Sequence, residues 1–172
     1  MKSAKLRVVI AGAGGKMGRT LIEGVLADES FALAAVLDVR GSPAVGTIIG
    51  GIKVGSDVGK ALASGDVLID FTRPEGTIEH LEACARLGKP IVIGTTGFPE
   101  SLKKAILQAG RMIPIAMSPN FAVGVNVVFK LAEVAAGILG DDYDVEIIEA
   151  HHRHKVDAPS GTALKLGEII AS

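Results

Sequence analysis

The sequence predicts an α/β fold: a Rossmann-like doubly wound parallel sheet followed by the start of an α+β unit. Three observations predict it. Short, wholly apolar runs alternate with segments of helical periodicity; glycine or small polar turns close the runs; and this rhythm stops near residue 121, where a long helical stretch and a cationic tract take over. Strands apolar on both faces are those that helices cover from both sides.

Each element follows in chain order. Residues 6–11 (LRVVIA) form a continuous apolar run ended by glycine, and Met17, Leu21, Ile22 and Val25 then recur at helical spacing. "FALAAVLD" is a second short strand, closed by Asp38. After a glycine-rich loop, residues 67–71 read as a third strand, followed by a helix led by Pro74. "KPIVIGTTGF" repeats the plan, with a strand over 91–93, a polar turn and a helix from about Pro99. "MIPIAMSPNFAVG" repeats it again, with residues 118–121 as the turn. Residues 123–139 are helical, and "YDVEIIEAHH" alternates like a strand, with Val145 and Ile147 on one side. Ser160 then suits the N-cap of a final helix. Residues 1–121 are thus expected to form one domain and residues 122–172 to begin another.

The first turn carries the nucleotide signal. Gly12, Gly15 and Gly18 form a G-x-x-G-x-x-G frame between strand and helix, the Rossmann-like arrangement in which glycine permits the turn and close approach to a pyrophosphate. The unpaired amides of the helix start face the phosphates. Asp38, 20 residues past Gly18, is placed to accept from a ribose diol. Asp38 repels a 2′-phosphate and points to NADH, whereas Lys16 and Arg40 offset that repulsion, so NADH, NADPH or both remain open. A purely structural glycine turn is the alternative.

Composition excludes other classes. A net charge of −1 and 3 % aromatic residues argue against nucleic-acid or membrane-surface partners. The single cysteine, Cys84, rules out an internal disulfide and a multi-thiolate metal site. No signal peptide is visible, and no uninterrupted run approaches the roughly 20 apolar residues of a membrane span. A cytoplasmic protein is expected.

Three of the four histidines fall in "HHRHK", His151 to Lys155, just before Pro159 and the helix start at Ser160. Cations beside a helix N-terminus, where Gly161 and Thr162 offer first-turn amides, make a pocket for a small substrate carrying carboxylates. Metal binding ranks lower, because no certain third ligand is present and Arg153 and Lys155 repel a divalent ion. Ser160 as a nucleophile ranks below its role as a cap, and a solvated charge run is the bland reading.

"EAHHRHKVDAPSGTA" closely resembles the signature of the 4-hydroxy-tetrahydrodipicolinate reductase family of the diaminopimelate route to lysine, and "AGAGGKMGR", "IDFTRPEGT", "VIGTTGF" and "NFAVGVN" resemble its cofactor-side motifs. The resemblance implies reduction of a cyclic imine-type dicarboxylate by NADH or NADPH, with net loss of water, in a homotetramer built through substrate-domain strands. It assigns His151 and Lys155 as the catalytic pair, and His152, Gly161 and Thr162 to the substrate carboxylates. To the cofactor it assigns Gly12, Ala13, Gly14, Gly15, Lys16, Met17 and Asp38, then Gly94, Thr95, Thr96, Ser118, Pro119, Asn120 and Phe121. Two departures stand out. Val39 occupies the place after the acid where the family often has a basic residue, and family members continue well past the position of Ser172. A C-terminally shortened chain with little turnover of its own is therefore expected, since roughly 50 residues with one strand bury little core. A non-catalytic NAD(P)-binding protein, or another small-acid or semialdehyde dehydrogenase, are the rival readings.

Overall fold

The computed structural model describes residues 4–153 and 158–171, and the chain divides into two compact units, Met1–Met117 and Ser118–Ser172. Unit 1 is built on a five-stranded parallel sheet of β1 (Leu6–Ala11), β2 (Phe31–Leu37), β5 (Val67–Asp70), β6 (Ile91–Ile93) and β7 (Ile115–Met117), in the order β2-β1-β5-β6-β7. The chain leaves β1 for β2 on one side and returns to β5 on the other. Between β1 and β5 the connections diverge, and a crevice opens beyond the carboxyl ends of the strands.

The alternation within β1 sets the two core layers. Val8 and Ile10 face α1 (Lys16–Ala27), packing with its Ile22 and Val25. Val9 and Ala11 face the opposite layer, where α2 (Val58–Ser64), α3 (Pro74–Leu87) and α4 (Glu100–Ala109) contribute Leu62, Leu81, Cys84 and Ile106. Both faces are therefore dry, and Val9, Ile10, Leu62, Leu68 and Ile93 are wholly buried. Burying each such side chain contributes roughly 1.5–3 kcal/mol. α3 shows why its helix starts and stops where it does: Pro74 sits in the first turn, and Gly88 ends it in the left-handed region at φ 63°.

Four sequence expectations need correction in detail. The third strand ends at Asp70 rather than Phe71, because the Thr72 amide turns back to the Asp70 side chain. The glycine-rich loop holds a two-residue hairpin of β3 (Ile48–Ile49) and β4 (Ile52–Lys53), and also α2, capped by Asp57. A seven-residue helix is too short for periodicity to reveal. Met17 is 43 % exposed, outside the apolar face that Ile22 and Val25 form. Unit 2 differs most. α5 (Val123–Leu139) and α6 (Gly161–Ile170) are present and touch, but residues 143–152 form no strand. A strand needs a ladder partner, and unit 2 has no second strand among the described residues.

The stretch Val123–Asp142, at mean hydropathy 1.6, is long and apolar enough to cross a membrane by length and composition. An expectation based on unbroken apolar runs overlooks it because Asn126, Lys130 and Glu133 interrupt the run without lowering the average far. In this unit only Phe129 and Ser160 are buried among the described residues.

Candidate functional site

The crevice of unit 1 is a cleft of about 870 Å³, lined by the loops after β1, β2 and β5 and by the start of α3. Its size lies in the range of small-molecule sites. Gly12 and Gly15 form one wall, Asp38, Val39 and Arg40 another, and Phe71, Thr72, Arg73 and His80 a third.

The glycine turn is as tight as its sequence implies. Gly12 lies at φ 77°, and a Cβ on Gly18 would stand 2.0 Å from the Gly12 carbonyl oxygen, so α1 touches the end of β1 backbone to backbone. Gly15 is the N-cap of α1 without a side-chain cap, which leaves the first-turn amides to an incoming acceptor. Lys16 and Met17 occupy that turn, both exposed, and Ala13 is wholly buried beneath it. Asp38 is already engaged with the turn. Its Oδ2 accepts from the Gly14 amide at 2.7 Å and its Oδ1 from the Val39 amide at 2.8 Å. A carboxylate offers about four lone-pair sites, so acceptor capacity for a ribose diol remains. A glycine-lined approach, an uncapped helix start and a carboxylate one strand away fit the pyrophosphate and ribose of a dinucleotide.

A buried polar cluster backs the cleft, and sequence reasoning missed it. Asp70, at the carboxyl end of β5 and fully buried, accepts from Thr72 Oγ1 at 2.6 Å and the Thr72 amide at 2.8 Å, and pairs with His80 Nδ1 at 2.7 Å. Thr95 Oγ1 reaches it at 3.4 Å and accepts from Thr77 Oγ1 at 2.9 Å. Burial alone would push the Asp70 carboxyl up, yet the His80 bond and charge and the Thr72 bonds outweigh it and hold the group below the ordinary value. An ionised acceptor requires that Nδ1 of His80 carry the hydrogen. The cluster ties the loop after β5, the buried face of α3 and the loop after β6 into one unit. The available signals were an acid closing a buried strand, as Asp38 does, and Thr77, His80 and Cys84 at helical spacing on one face.

Of the second glycine-threonine turn, Thr95 points its hydroxyl into this cluster rather than outward, and Thr96 is half-buried. Gly94 donates its amide to the Asp70 carbonyl at 2.8 Å. A Cβ there would lie 2.0 Å from the Phe71 ring, so Gly94 makes room for an aromatic wall of the cleft.

The remaining sequence-predicted residues lie in unit 2. Ser118 Oγ donates to the Asn120 carbonyl at 2.7 Å, and Asn120 Oδ1 accepts from the Ala122 amide at 2.9 Å, giving a self-bonded turn ahead of α5. Pro119 is half-buried and Phe121 is exposed. Lys155 and His154 lie outside the described residues. His151 Nε2 stands 3.0 Å from Glu149 Oε2, and His152 is exposed. Ser160 caps α6, accepting from the Ala163 amide at 3.1 Å, and places Gly161 and Thr162 in the first turn, where amides lack intrahelical acceptors. The structure therefore brings His151 and the α6 start to one carboxylate, Glu149. Among the described residues no three His, Cys, Asp or Glu gather as a metal site.

Comparison with known proteins gives concordant matches. Residues 6–121 match the family model described as dihydrodipicolinate reductase, N-terminus, and residues 124–172 match dihydrodipicolinate reductase, C-terminus. A Cupriavidus necator protein named 4-hydroxy-tetrahydrodipicolinate reductase is 57 % identical, with 96 % of this chain and 65 % of that protein covered. One of the same name from Aromatoleum aromaticum is 56 % identical, with 96 % and 63 % covered. The chain thus spans somewhat under two-thirds of these curated relatives. A solved structure, a dipicolinate-bound dihydrodipicolinate reductase from Paenisporosarcina sp. TG-14, is 33 % identical with a TM-score of 0.78, covering 98 % of this chain and 66 % of that one.

Proposed function

The chain belongs to the dihydrodipicolinate reductase family, and from that premise we propose that it carries the cofactor half and the start of the substrate half of an NAD(P)H-dependent 4-hydroxy-tetrahydrodipicolinate reductase. The observation that carries the reading is the cleft at the β1/β5 divergence, where a glycine turn, an uncapped helix start and Asp38 converge. In this reading residues 1–121 are the dinucleotide-binding domain and residues 122–172 the beginning of the substrate domain. The reaction gives tetrahydrodipicolinate and water, and a biosynthetic reductase of this kind acts in the cytoplasm, as a homotetramer when its substrate domain is complete.

The nicotinamide supplies a hydride when bound. Gly12 to Met17 would line the pyrophosphate; the amides of Ala13, Gly14 and Gly15 are already bonded within the chain, so the donors would be those at the uncapped start of α1, whose positive end would add to the attraction. Asp38 accepts from the ribose hydroxyls, and its charge favours NADH, which Lys16 and Arg40 moderate. Likeness to the family's motifs also assigns Gly94 to Thr96 and Ser118 to Phe121 to the cofactor, Thr95 with its hydroxyl held in the buried Asp70 cluster. In the substrate half, His152 and the amides of Gly161 and Thr162 hold carboxylates, while His151 and Lys155 supply protons. Histidine suits that work because its ordinary titration lies near neutral pH.

The test is a fluorescence titration of NADH, then NADPH, with and without pyridine-2,6-dicarboxylate. Cofactor binding that the dicarboxylate tightens supports the reading, and tighter binding of NADH than NADPH supports the assignment of Asp38. Failure to bind either nucleotide overturns it.

A further inference from the structure

We propose that Glu149 is a positioning residue, one carboxylate that orients both the imidazole of His151 and the N-terminus of α6. The inference rests on the reading of His151 as a proton donor and of the α6 start as the carboxylate-binding end.

Four contacts carry it. Glu149 Oε1 accepts from the Ser160 amide at 2.8 Å, and Oε2 accepts from the Ser160 hydroxyl and faces His151 Nε2 at 3.0 Å. Ser160 Oγ in turn accepts from the Ala163 amide at 3.1 Å. The carboxylate thus grips the cap residue at two atoms and the imidazole at one, across 11 residues of chain. Ser160 is buried, whereas the Glu149 side chain is 26 % exposed and that of His151 40 %. The anchor lies deeper than the group it holds.

The chemistry follows from the atoms. An ionised carboxylate only accepts, so the hydrogen in the His151 contact belongs to Nε2. The Ser160 hydroxyl, then His151, then the Ser160 amide hold the Glu149 carboxyl down at about 2, so it stays an acceptor across the range in which histidines ordinarily titrate. That leaves Nδ1 as the nitrogen that exchanges a proton. In the imidazolium both nitrogens carry hydrogen. The Nδ1–H bond breaks, its electron pair remains on Nδ1, the proton passes to the substrate, and a neutral imidazole with hydrogen on Nε2 remains in Glu149's grip. The same carboxylate fixes the cap from which the Gly161 and Thr162 amides project, so proton donor and anion site share one reference point. Sequence spacing conceals this, since Ser160 lies 11 residues beyond Glu149.

The deciding experiment is long-range proton–nitrogen NMR of the histidine rings in the ¹⁵N-labelled chain, wild type against Glu149→Ala and Ser160→Ala, with NADH titrations alongside. The expected result is a neutral His151 with hydrogen on Nε2 in the wild type, slow to exchange with water. In Glu149→Ala that hydrogen becomes exchange-broadened while NADH affinity is unchanged. In Ser160→Ala the His151 signal persists. Dicarboxylate affinity falls about threefold to tenfold in Glu149→Ala, the size of one net hydrogen-bond contribution. Hydrogen on Nδ1 in the wild type, or a ring spectrum that Glu149→Ala leaves unchanged, overturns the inference. A wild type blind to the dicarboxylate would sink the substrate reading instead, while the ring spectra still decide the Glu149–His151 pairing.

Discussion

Two glycines on one helix should respond to the same substitution with opposite signs. Gly18 and Gly24 both lie within α1, where replacing glycine by alanine removes the excess backbone entropy of the unfolded chain and ordinarily stabilises by about 0.5–1 kcal/mol. At Gly24 an added Cβ meets nothing within 4 Å, so that gain should appear undiminished. At Gly18 the Cβ would lie 2.0 Å from the Gly12 oxygen and 2.7 Å from its carbonyl carbon. To reach an ordinary contact of 3.4 Å, the end of β1 and α1 must separate by about 1.4 Å. The obstacle is backbone and cannot swing aside as a side chain would. Overpacking costs about 1–3 kcal/mol, and the upper end applies here. The assay is urea unfolding followed by circular dichroism. With a slope of about 2 kcal/mol/M, the Gly18→Ala midpoint should drop by about 1.5 M and the Gly24→Ala midpoint rise by roughly 0.3 M. NADH affinity should collapse only in the first. A Gly18→Ala midpoint within about 0.3 M of wild type would refute the claim that this glycine sets the helix–strand distance.

Three further outcomes follow from the same structure. Asp70→Asn keeps shape but turns three short charge-assisted bonds into neutral ones, a loss of about 1 kcal/mol each and about 3 kcal/mol in all, read as a fall in urea midpoint of about 1.5 M; an unchanged midpoint would dismiss the buried charge as irrelevant. Burial, and secondarily the Asp70 charge, push the Cys84 thiol up to about 12, so a disulfide reagent at pH 8 should leave the native chain unlabelled and modify one thiol per chain in urea. Arg7, by its side chain and then its amide, holds the half-buried Asp66 at about 2. A depressed carboxyl stabilises the fold above its unfolded value and loses that contribution as the pH falls, here between about 5 and 2. Asp66→Asn should flatten the acid limb of midpoint against pH, and an unaltered limb would show that the pair contributes nothing.

The β1-α1-β2 unit was legible because three local signals coincide there: a dry strand, glycine spacing and an apolar stripe ending in a second dry strand. Asp38 was legible as the last polar residue of that pattern, and the structure has it beside the glycine turn. The Asp70 cluster was not, because its members come from β5, α3 and the loop after β6, and only sheet order brings them together. Glu149 escaped notice for a related reason, overshadowed by the cations beside it. The failed strand over residues 143–152 shows the converse. Alternation is a property of a segment, whereas a strand is a property of a pair, and Val145 and Ile147 remain exposed without one.

The bond between Asp38 and the Gly14 amide bears on any attempt to re-engineer nucleotide preference. Exchanging the acid for a small neutral or basic residue is the natural first design for welcoming a 2′-phosphate. Here that exchange also strips the acceptor from two backbone amides, those of Gly14 and Val39. A designer would thus detune the phosphate cradle while editing the ribose contact, and would misread the resulting weak binding as poor phosphate recognition. Asparagine at position 38 retains a carbonyl oxygen for the Gly14 amide while discarding the charge, which makes it the informative starting template before any basic residue is added.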